Sequence, residues 1–413
     1  MQRLVFLLAS AAPGALGLLF QSHKVSSQWD TWAICENGTY HAFFLANVSA
    51  PSFGLGTGSD GAAHAVSADG AHFEDRGAAW RMPPLPGLCG GEWRCSEGTS
   101  SVFARPGSDE RSNRKKFSIN YSVCRNNDKG ELAQTISFAE SDDLETWTQV
   151  LDDGGAPLLF APDGRYYRDA PTEAAPTVRW DTLTGFVAGA EPGEVYGYWT
   201  ASPLDGAAAF GMGATSDGLR WRALPPPAVV GAAAELGDLE IGGVAKFGGR
   251  FFALGGAGWE MRALVADAPA GPFRAAPLNF RLLSGAGYFT RFFDGCDGAV
   301  LVSHQAFHHP NHFLAPYKAA EVDADGALRL KWWPGNDALA GARVDRWEKA
   351  PLDLAVGVVL GGRVDLRGAR APANASGAYA ACLPGFEFAL TDGSSLVVLV
   401  DGCAEFNHWF AWS

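Results

Sequence analysis

The chain has 413 residues, of which 47% are hydrophobic and 19% are charged, and its formal net charge at pH 7 is -13. A composition this apolar supports a large folded core and excludes an intrinsically disordered chain. The excess of acidic side chains repels phosphate backbones, and the basic cluster at residues 111–116 is interpreted as a solvated loop. We therefore expect no nucleic-acid partner.

The first 20 residues have the pattern of a secretory signal peptide. Arg3 precedes an apolar stretch, and Ala15 and Gly17 have the spacing of small residues at a signal-peptidase site. Pro13 interrupts the apolar run, which falls short of the roughly 20 uninterrupted apolar residues of a membrane-spanning helix. We expect cleavage of the signal peptide at residues 1–20, secretion to the extracellular space, and no membrane association after cleavage.

Glycosylation sequons and cysteines are consistent with the predicted secretion. The sequons are at Asn37, Asn47, Asn120 and Asn374. Among the seven cysteines, Cys89 and Cys95 are candidates for one disulfide and Cys382 and Cys403 for another, although the sequence does not fix the connectivity. Because seven is an odd number, at least one cysteine has no disulfide partner within the chain. No Cys-x-x-Cys pair is present, which argues against structural zinc and thioredoxin-type redox chemistry.

Strand patterns dominate the rest of the chain, as short runs rich in aromatic and β-branched residues separated by Gly, Asp, Asn and Pro. One sequence pattern recurs along the chain. In each copy a predicted strand ends in a small residue, the following turn contains Asp, and an aromatic or apolar residue comes after the turn. The turn aspartates are Asp69, Asp142, Asp217, Asp267 and Asp323. Their spacing of about 50 to 75 residues suits one four-stranded blade per repeat. The sequence predicts an all-β fold, a five-bladed β-propeller over residues 21–341.

The sequence pattern changes after residue 341. Residues 342–413 hold apolar strand-like runs and an aromatic C-terminus. The segment is shorter than an independent β-sandwich of roughly 100 residues. We expect a short C-terminal β appendage packed on the propeller.

Three acidic residues stand before strands of different predicted blades: Asp30, Asp169 and Glu240. The inner strands of a propeller converge on one axial pocket, so such acids can face one another although they are far apart in the sequence. Cleavage of a glycosidic bond needs a carboxylate that attacks or activates water, an acid that protonates the leaving oxygen, and a group that stabilises the cationic sugar. Arg168 can hold Asp169 ionised, and Trp29 can stack on a sugar ring.

At these residues the chain resembles the five-bladed propeller enzymes of glycoside hydrolase family 32 (invertases, inulinases, levanases and fructan exohydrolases), and more distantly families 68 and 43. The four motifs that carry the resemblance are "WDTWAICENGTYHAFFL" (29–45), "EGTSSVF" (97–103), "YYRDAP" (166–171) and "GDLEIGG" (237–243). They are similar, in this order, to the family's opening Asn-Asp-Pro motif, its Ser-Gly-Ser motif, its Arg-Asp-Pro motif and its Glu-Cys-Pro motif.

The resemblance implies a secreted β-fructofuranosidase-like hydrolase that acts on an oligo- or polysaccharide by a retaining mechanism and needs no cofactor. Asp30 would be the nucleophile, Glu240 the acid/base and Asp169 the transition-state stabiliser. The candidate substrate-binding residues in and beside these motifs are Trp29, Trp32, Ser100 and Arg168.

Alternatives stay open at this point. Asp238 and Glu173 compete with Glu240 for the acid/base position. An inverting arabinosidase or xylosidase would use the same fold, and a non-catalytic carbohydrate-binding propeller would have lost the chemistry. The histidines of residues 303–313 (His304, His308, His309 and His312) have no acid or Cys at a diagnostic spacing. We interpret them as part of a loop at the pocket rim and expect no metal.

Overall fold

The computed structural model describes residues 4–8, 19–49, 59–85, 88–92, 94–107, 115–205, 210–237, 239–258, 260–277, 280–284, 289–308, 311–339, 358–362, 385–389 and 395–399. Most of the predicted signal peptide and of the predicted C-terminal segment lies outside these ranges, as do Asn374, Cys382 and Cys403. The predictions for these parts of the chain therefore stay predictions.

Five sheets, built mainly of antiparallel pairs, follow one another along the chain. Strand β1 is Leu4–Leu8. Sheet I contains β2 (Ser26–Glu36), β3 (Thr39–Asn47), β4 (Gly61–Ser67) and β5 (Glu74–Arg81). Sheet II contains β6 (Arg94–Ala104), β7 (Phe117–Asn126), β8 (Leu132–Ser141) and β9 (Thr148–Gln149), and β10 (Leu159–Phe160) and β11 (Thr177–Val178) also pair with β8. Sheet III contains β12 (Trp180–Ala188), β13 (Val195–Ala201), β14 (Gly211–Thr215) and β15 (Arg222–Leu224).

Sheet IV contains β16 (Glu240–Phe247), β17 (Arg250–Ala257), β18 (Glu260–Ala266) and β19 (Arg274–Ala275), and β20 (Arg281–Ser284) also pairs with β18. Sheet V begins with β21 (Arg291–Asp294) and β22 (Val300–Ser303). A separate hairpin of β23 (Gln305–His308) and β24 (Asn311–Leu314) comes next, and β25 (Lys318–Val322) and β26 (Leu328–Trp332) complete sheet V.

The remaining elements are short. Among the described residues, two 3-10 helices cover Gly231–Glu235 and Pro334–Leu339. Strand β27 (Val358–Gly362) pairs with β1, and β28 (Gly385–Ala389) pairs with β29 (Ser395–Leu399). Among the described residues, no helix is long and apolar enough to span a membrane.

The recurring aspartate turns connect the third and fourth strands of each sheet. In the first three sheets a Ser or Thr two residues earlier donates its hydroxyl to the Asp, which accepts backbone amides that follow it. This geometry closes a tight turn without a glycine-only conformation at the Asp. The structure makes one correction: the capping residue in sheet II is Asp143 rather than Asp142. The sequence repeat therefore marks the outer hairpin of each sheet, as predicted.

Apolar side chains fill the spaces between neighbouring sheets. Separate buried clusters join sheets I and II, II and III, III and IV, IV and V, and V and I. We call the first strand of each sheet its inner strand; these are β2, β6, β12, β16 and β21. Each inner strand contacts the inner strand of the next sheet, and β21 contacts β2. The molecule is all-β and propeller-like, which confirms that part of the prediction.

Two disulfides connect the described cysteines. Cys89 bonds to Cys95, as predicted. The other disulfide joins Cys35 of β2 to Cys296, which follows β21, across a sequence separation of 261 residues. It therefore links the inner strand of the first sheet to the turn after the inner strand of the last. Burial raises the pKa of the remaining described cysteine, Cys124, to about 12, so this thiol is unreactive at neutral pH.

We expect the Cys35–Cys296 disulfide to stabilise the fold more than the short Cys89–Cys95 loop does. In the chain-entropy model, removing the long link costs about 5 kcal/mol and removing the short one about 2 kcal/mol. Thermal unfolding of the Cys35→Ser/Cys296→Ser and Cys89→Ser/Cys95→Ser double variants tests this comparison. Equal losses of Tm would contradict it.

Candidate active site

Four of the inner strands carry an acidic residue at a break in their pairing register or one residue before it. These residues are Asp30 in β2, Glu97 in β6, Asp181 in β12 and Glu240 in β16. An extra residue in one strand bends that strand and re-aims a nearby side chain. Asp30 itself has a φ of 50°, in the left-handed region that an Asp tolerates better than most residues. The breaks thus concentrate acids near the starts of the inner strands.

Arg179 connects two of these acids. Its Nη2 donates to Oε1 and Oε2 of Glu240 at 2.8 Å each and lies 3.3 Å from Oδ2 of Asp181. Gln134 Nε2 also donates to Asp181 Oδ2 at 2.8 Å, and the Ser122 hydroxyl donates to Oδ1. Both carboxylates are therefore held in fixed orientations by a shared cation and by neutral donors.

The electrostatic environment raises the pKa of Glu240. Burial is the largest cause, the charge of Arg179 acts against it, and the charges of Asp181 and Asp30 raise the pKa again. The charge of Asp30 thus acts on Glu240 although the two residues are 210 positions apart in the sequence. A carboxyl with a raised pKa retains its proton more readily, which suits a general acid.

Asp30 lies in the most enclosed position. It has no solvent-exposed surface, and Arg291 Nη1 of β21 donates to its Oδ1. Its backbone N–H donates to Oε1 of Gln305 at 3.0 Å. The adjacent Thr31 and Ser303 hydroxyls lie 3.0 Å apart and connect the same two sheets. Arg291 supplies the cation that a buried carboxylate requires.

Among the described residues, Asp169 is not one of the acids that Arg179 and Arg291 bind. Asp169 is exposed in the segment between β10 and β11, and Arg168 beside it is half-buried, with its N–H donating to the Ser202 carbonyl at 2.8 Å. Sheet III presents Asp181 from its inner strand instead. Glu173 is also exposed, and Asp238 lies outside the described residues. The placement of Asp169 with Asp30 and Glu240 therefore stays a prediction.

The other predicted substrate-binding residues occupy different environments. Trp29 is half-buried, with its ring centroid 3.8 Å from that of His312 and 5.5 Å from that of Phe289. Trp32 is buried and stacks on Phe43 at 6.2 Å, which makes it a core residue rather than an exposed platform. Ser100 is buried and donates to Glu97 Oε1 at 2.6 Å.

Sequence reasoning missed Arg179, Asp181, Arg291 and Glu97. The run "VRWD" at residues 178–181 contained a usable signal, because residues two apart in a strand share a face and this strand opens a sheet. The resemblance to the Arg-Asp-Pro motif rests instead on the adjacent Arg168 and Asp169 of "YYRDAP". Arg291 offered no local signal, since its partner Asp30 is 261 positions away.

Metal ligation has no support in the described part of the chain, where no group of three or more His, Cys, Asp or Glu side chains is arranged to hold an ion. Of the histidines considered above, His304 and His312 are buried at the β23–β24 hairpin, and the His304 carbonyl accepts from Ala315 N–H at 3.0 Å. His309 and the side chain of His308 lie outside the described residues. That no metal is needed stays a prediction.

Comparison with known proteins shows similarity at the level of the fold. No protein-family model and no curated protein matches the chain. Among solved structures, fructan 1-exohydrolase IIa from Cichorium intybus is similar, with 15% identity, a TM-score of 0.57, and coverage of 79% of this chain and 62% of that one. A variant of that enzyme in complex with 1-kestose gives 14% identity, a TM-score of 0.58, and coverage of 92% and 80%.

Sucrose-6-phosphate hydrolase from Lactobacillus gasseri is also similar, with 14% identity, a TM-score of 0.53, and coverage of 79% of this chain and 66% of that one. The chain thus spans less than two thirds of the length of two of these structures. Identities this low establish a shared fold, the propeller fold of these enzymes.

Glu97 provides a test of the electrostatics that needs no substrate. It is buried, its Oε2 has no hydrogen-bond partner, and burial raises its pKa to about 8, so it is largely neutral at pH 7. In the unfolded chain it ionises near pH 4.5. Its contribution to stability is therefore complete below pH 4.5 and is lost as the pH rises towards 8, by an amount on the order of 5 kcal/mol.

We expect Glu97→Gln to remove this dependence, because the amide keeps the shape of the side chain and does not ionise. The free energy of unfolding, measured in urea from pH 5 to pH 8, should fall less steeply in the variant than in the wild type. Glu145→Gln, which alters an exposed glutamate, is the matched control. Parallel curves for wild type and Glu97→Gln would refute the assignment of a neutral buried acid.

Proposed function

We propose that the protein is a secreted glycoside hydrolase that cleaves fructosides by a retaining mechanism, and that its five sheets form a complete five-bladed propeller. The observation that carries the proposal is the cluster of Asp30, Asp181 and Glu240, from three different inner strands, with Arg179 bound to two of them. The similar structures include enzymes named for fructan and sucrose-6-phosphate hydrolysis, which favours a fructoside over other sugars.

In the proposed first step, the Glu240 carboxyl gives its proton to the glycosidic oxygen, and an Asp30 oxygen attacks the anomeric carbon. The bond from that carbon to the leaving oxygen breaks, and a covalent sugar ester of Asp30 forms. In the second step, the Glu240 carboxylate takes a proton from water, whose oxygen attacks the same carbon and releases Asp30. Two inversions give net retention.

We assign the stabilising role to Asp181 instead of Asp169. Asp181 faces the same cation as Glu240 and receives hydrogen bonds from Ser122 and Gln134, so it is fixed before any substrate binds. A preorganised carboxylate of this kind stabilises positive charge that develops on the sugar ring. The exposed position of Asp169 supplies no such restraint.

The two disulfides and the predicted signal peptide support secretion, since disulfides persist in oxidising compartments. A single-chain hydrolase of this kind needs no cofactor, and its partner would be the oligo- or polysaccharide substrate.

One observation favours a second candidate, a non-catalytic carbohydrate-binding propeller. Asp30 has no exposed surface and is ion-paired with Arg291, so a sugar carbon reaches its carboxylate only if neighbouring groups move. A binding protein would need no such movement. An inverting arabinosidase or xylosidase is separated from the retaining enzyme by the anomer released first, which proton NMR detects.

The decisive assay is sugar release from sucrose, inulin, levan and an aryl arabinofuranoside. We expect fructose release, with Asp30→Asn and Glu240→Gln each lowering kcat by about a thousandfold or more and Asp181→Asn by about a hundredfold. Asp169→Asn serves as the matched control and should retain nearly full activity.

A loss with Asp169→Asn as large as that with Asp181→Asn would reverse the two assignments. No release from any substrate by a folded protein that still binds a saccharide would favour the binding propeller.

A further inference from the structure

The β23–β24 hairpin is an insertion that the ladder of sheet V does not need. In that sheet β22 pairs directly with β25, and the hairpin leaves the chain between them. Arg291, at the start of β21, pairs with Ser303, at the end of β22. The hairpin therefore emerges at the end of the sheet where the inner strands begin, which is the end that carries the acids.

The hairpin is attached to the segment around Asp30 at two points. Gln305, its first residue, accepts the hydrogen bond from the Asp30 amide. His312, on the returning strand, is buried, and its ring contacts Trp29 with centroids 3.8 Å apart and planes inclined by 65°. Both contacts involve consecutive residues of β2, so the hairpin fixes the backbone and an aromatic ring next to the proposed nucleophile.

Trp29 is held from a second side by Phe289, which precedes β21, at a centroid distance of 5.5 Å. The indole is nevertheless only half-buried, so part of its surface stays accessible. The pairing register shifts between Trp29 and Thr31, which breaks the strict alternation that would send Trp29 and Asp30 to opposite faces. An aromatic ring held in one orientation at the residue that precedes Asp30 is well suited to stack on the apolar face of a sugar.

We propose that the β23–β24 hairpin is a substrate-specificity element, in which His312 is a positioning residue that holds Trp29 as the platform for the sugar unit bound beside Asp30. The inference rests on the proposed function in one respect, that the ligand is a saccharide. Fixing the indole before binding lowers the entropy cost of ordering it in the complex, so the effect should appear in affinity more than in turnover.

Binding and turnover are measured separately to test this. Calorimetric titration with 1-kestose uses Glu240→Gln as a non-hydrolysing background, into which His312→Ala, His312→Phe, Trp29→Ala and the His312→Ala/Trp29→Ala pair are introduced. We expect His312→Ala to weaken binding about threefold to tenfold and His312→Phe to restore it to within about twofold, since a ring in that place is sufficient. The double variant should bind no more weakly than Trp29→Ala alone, because both act through one platform.

Steady-state kinetics of the same substitutions in the active enzyme should show a raised KM with kcat within about threefold of wild type. His23→Ala, which alters an exposed histidine, is the matched control. Unchanged affinity in His312→Ala, additive losses in the double variant, or a loss confined to kcat would each overturn the inference.

The outcome also separates this inference from the proposed function. Binding of 1-kestose that depends on His312, without hydrolysis by the wild type, would refute the hydrolase and keep the platform. Hydrolysis that is insensitive to His312 and Trp29 would refute the platform and keep the hydrolase. A folded protein that neither binds nor hydrolyses 1-kestose would refute both for this sugar.

Discussion

Burying several carboxylates at one place is the constraint on which the centre of this molecule depends. An isolated ionised carboxylate loses its hydration on burial, and the loss is tolerated only with a cation or several hydrogen bonds, or by protonation. The molecule uses each of these solutions. Arg291 accompanies Asp30, Arg179 accompanies Asp181 and Glu240, and Glu97 becomes neutral. Each buried acid is thus accommodated by a cation or, for Glu97, by protonation.

The same constraint connects the fold to the site. Arg291 reaches Asp30 only because the last sheet contacts the first, and the Cys35–Cys296 disulfide holds these two sheets together. The register breaks at Asp30 and Asp181 then interrupt the regular alternation of the strands at these two acids. Contact between the last and the first sheet brings the Arg291 charge to Asp30. Irregularities within the inner strands change the direction of acidic side chains.

Asp169 and Asp181 show what a motif in the sequence leaves open. Both acids lie near an arginine, and the adjacent Arg168–Asp169 pair looked more like a known motif than Arg179-x-Asp181 did. What distinguishes them is position within the sheet: Asp181 belongs to the inner strand β12, whereas Asp169 is in an exposed connection. Adjacency in the sequence carries no information on burial, while alternation along a strand does. Trp32 illustrates the same limit, since its neighbour Phe43 in the next strand makes it part of the core.

The sequence by itself determined the all-β class and the repeated outer turns, and it made Cys89–Cys95 a candidate disulfide and Asp30 and Glu240 candidate site residues. These features depend on short-range chemistry: strand-forming composition, hydroxyl-capped aspartate turns and cysteines six residues apart. Only the tertiary structure decided that Asp181 joins the acids, that Arg291 pairs with Asp30, and that His312 supports Trp29. Each of these contacts joins segments whose distance in space is set by the packing of one sheet on the next, which no local pattern in the chain encodes.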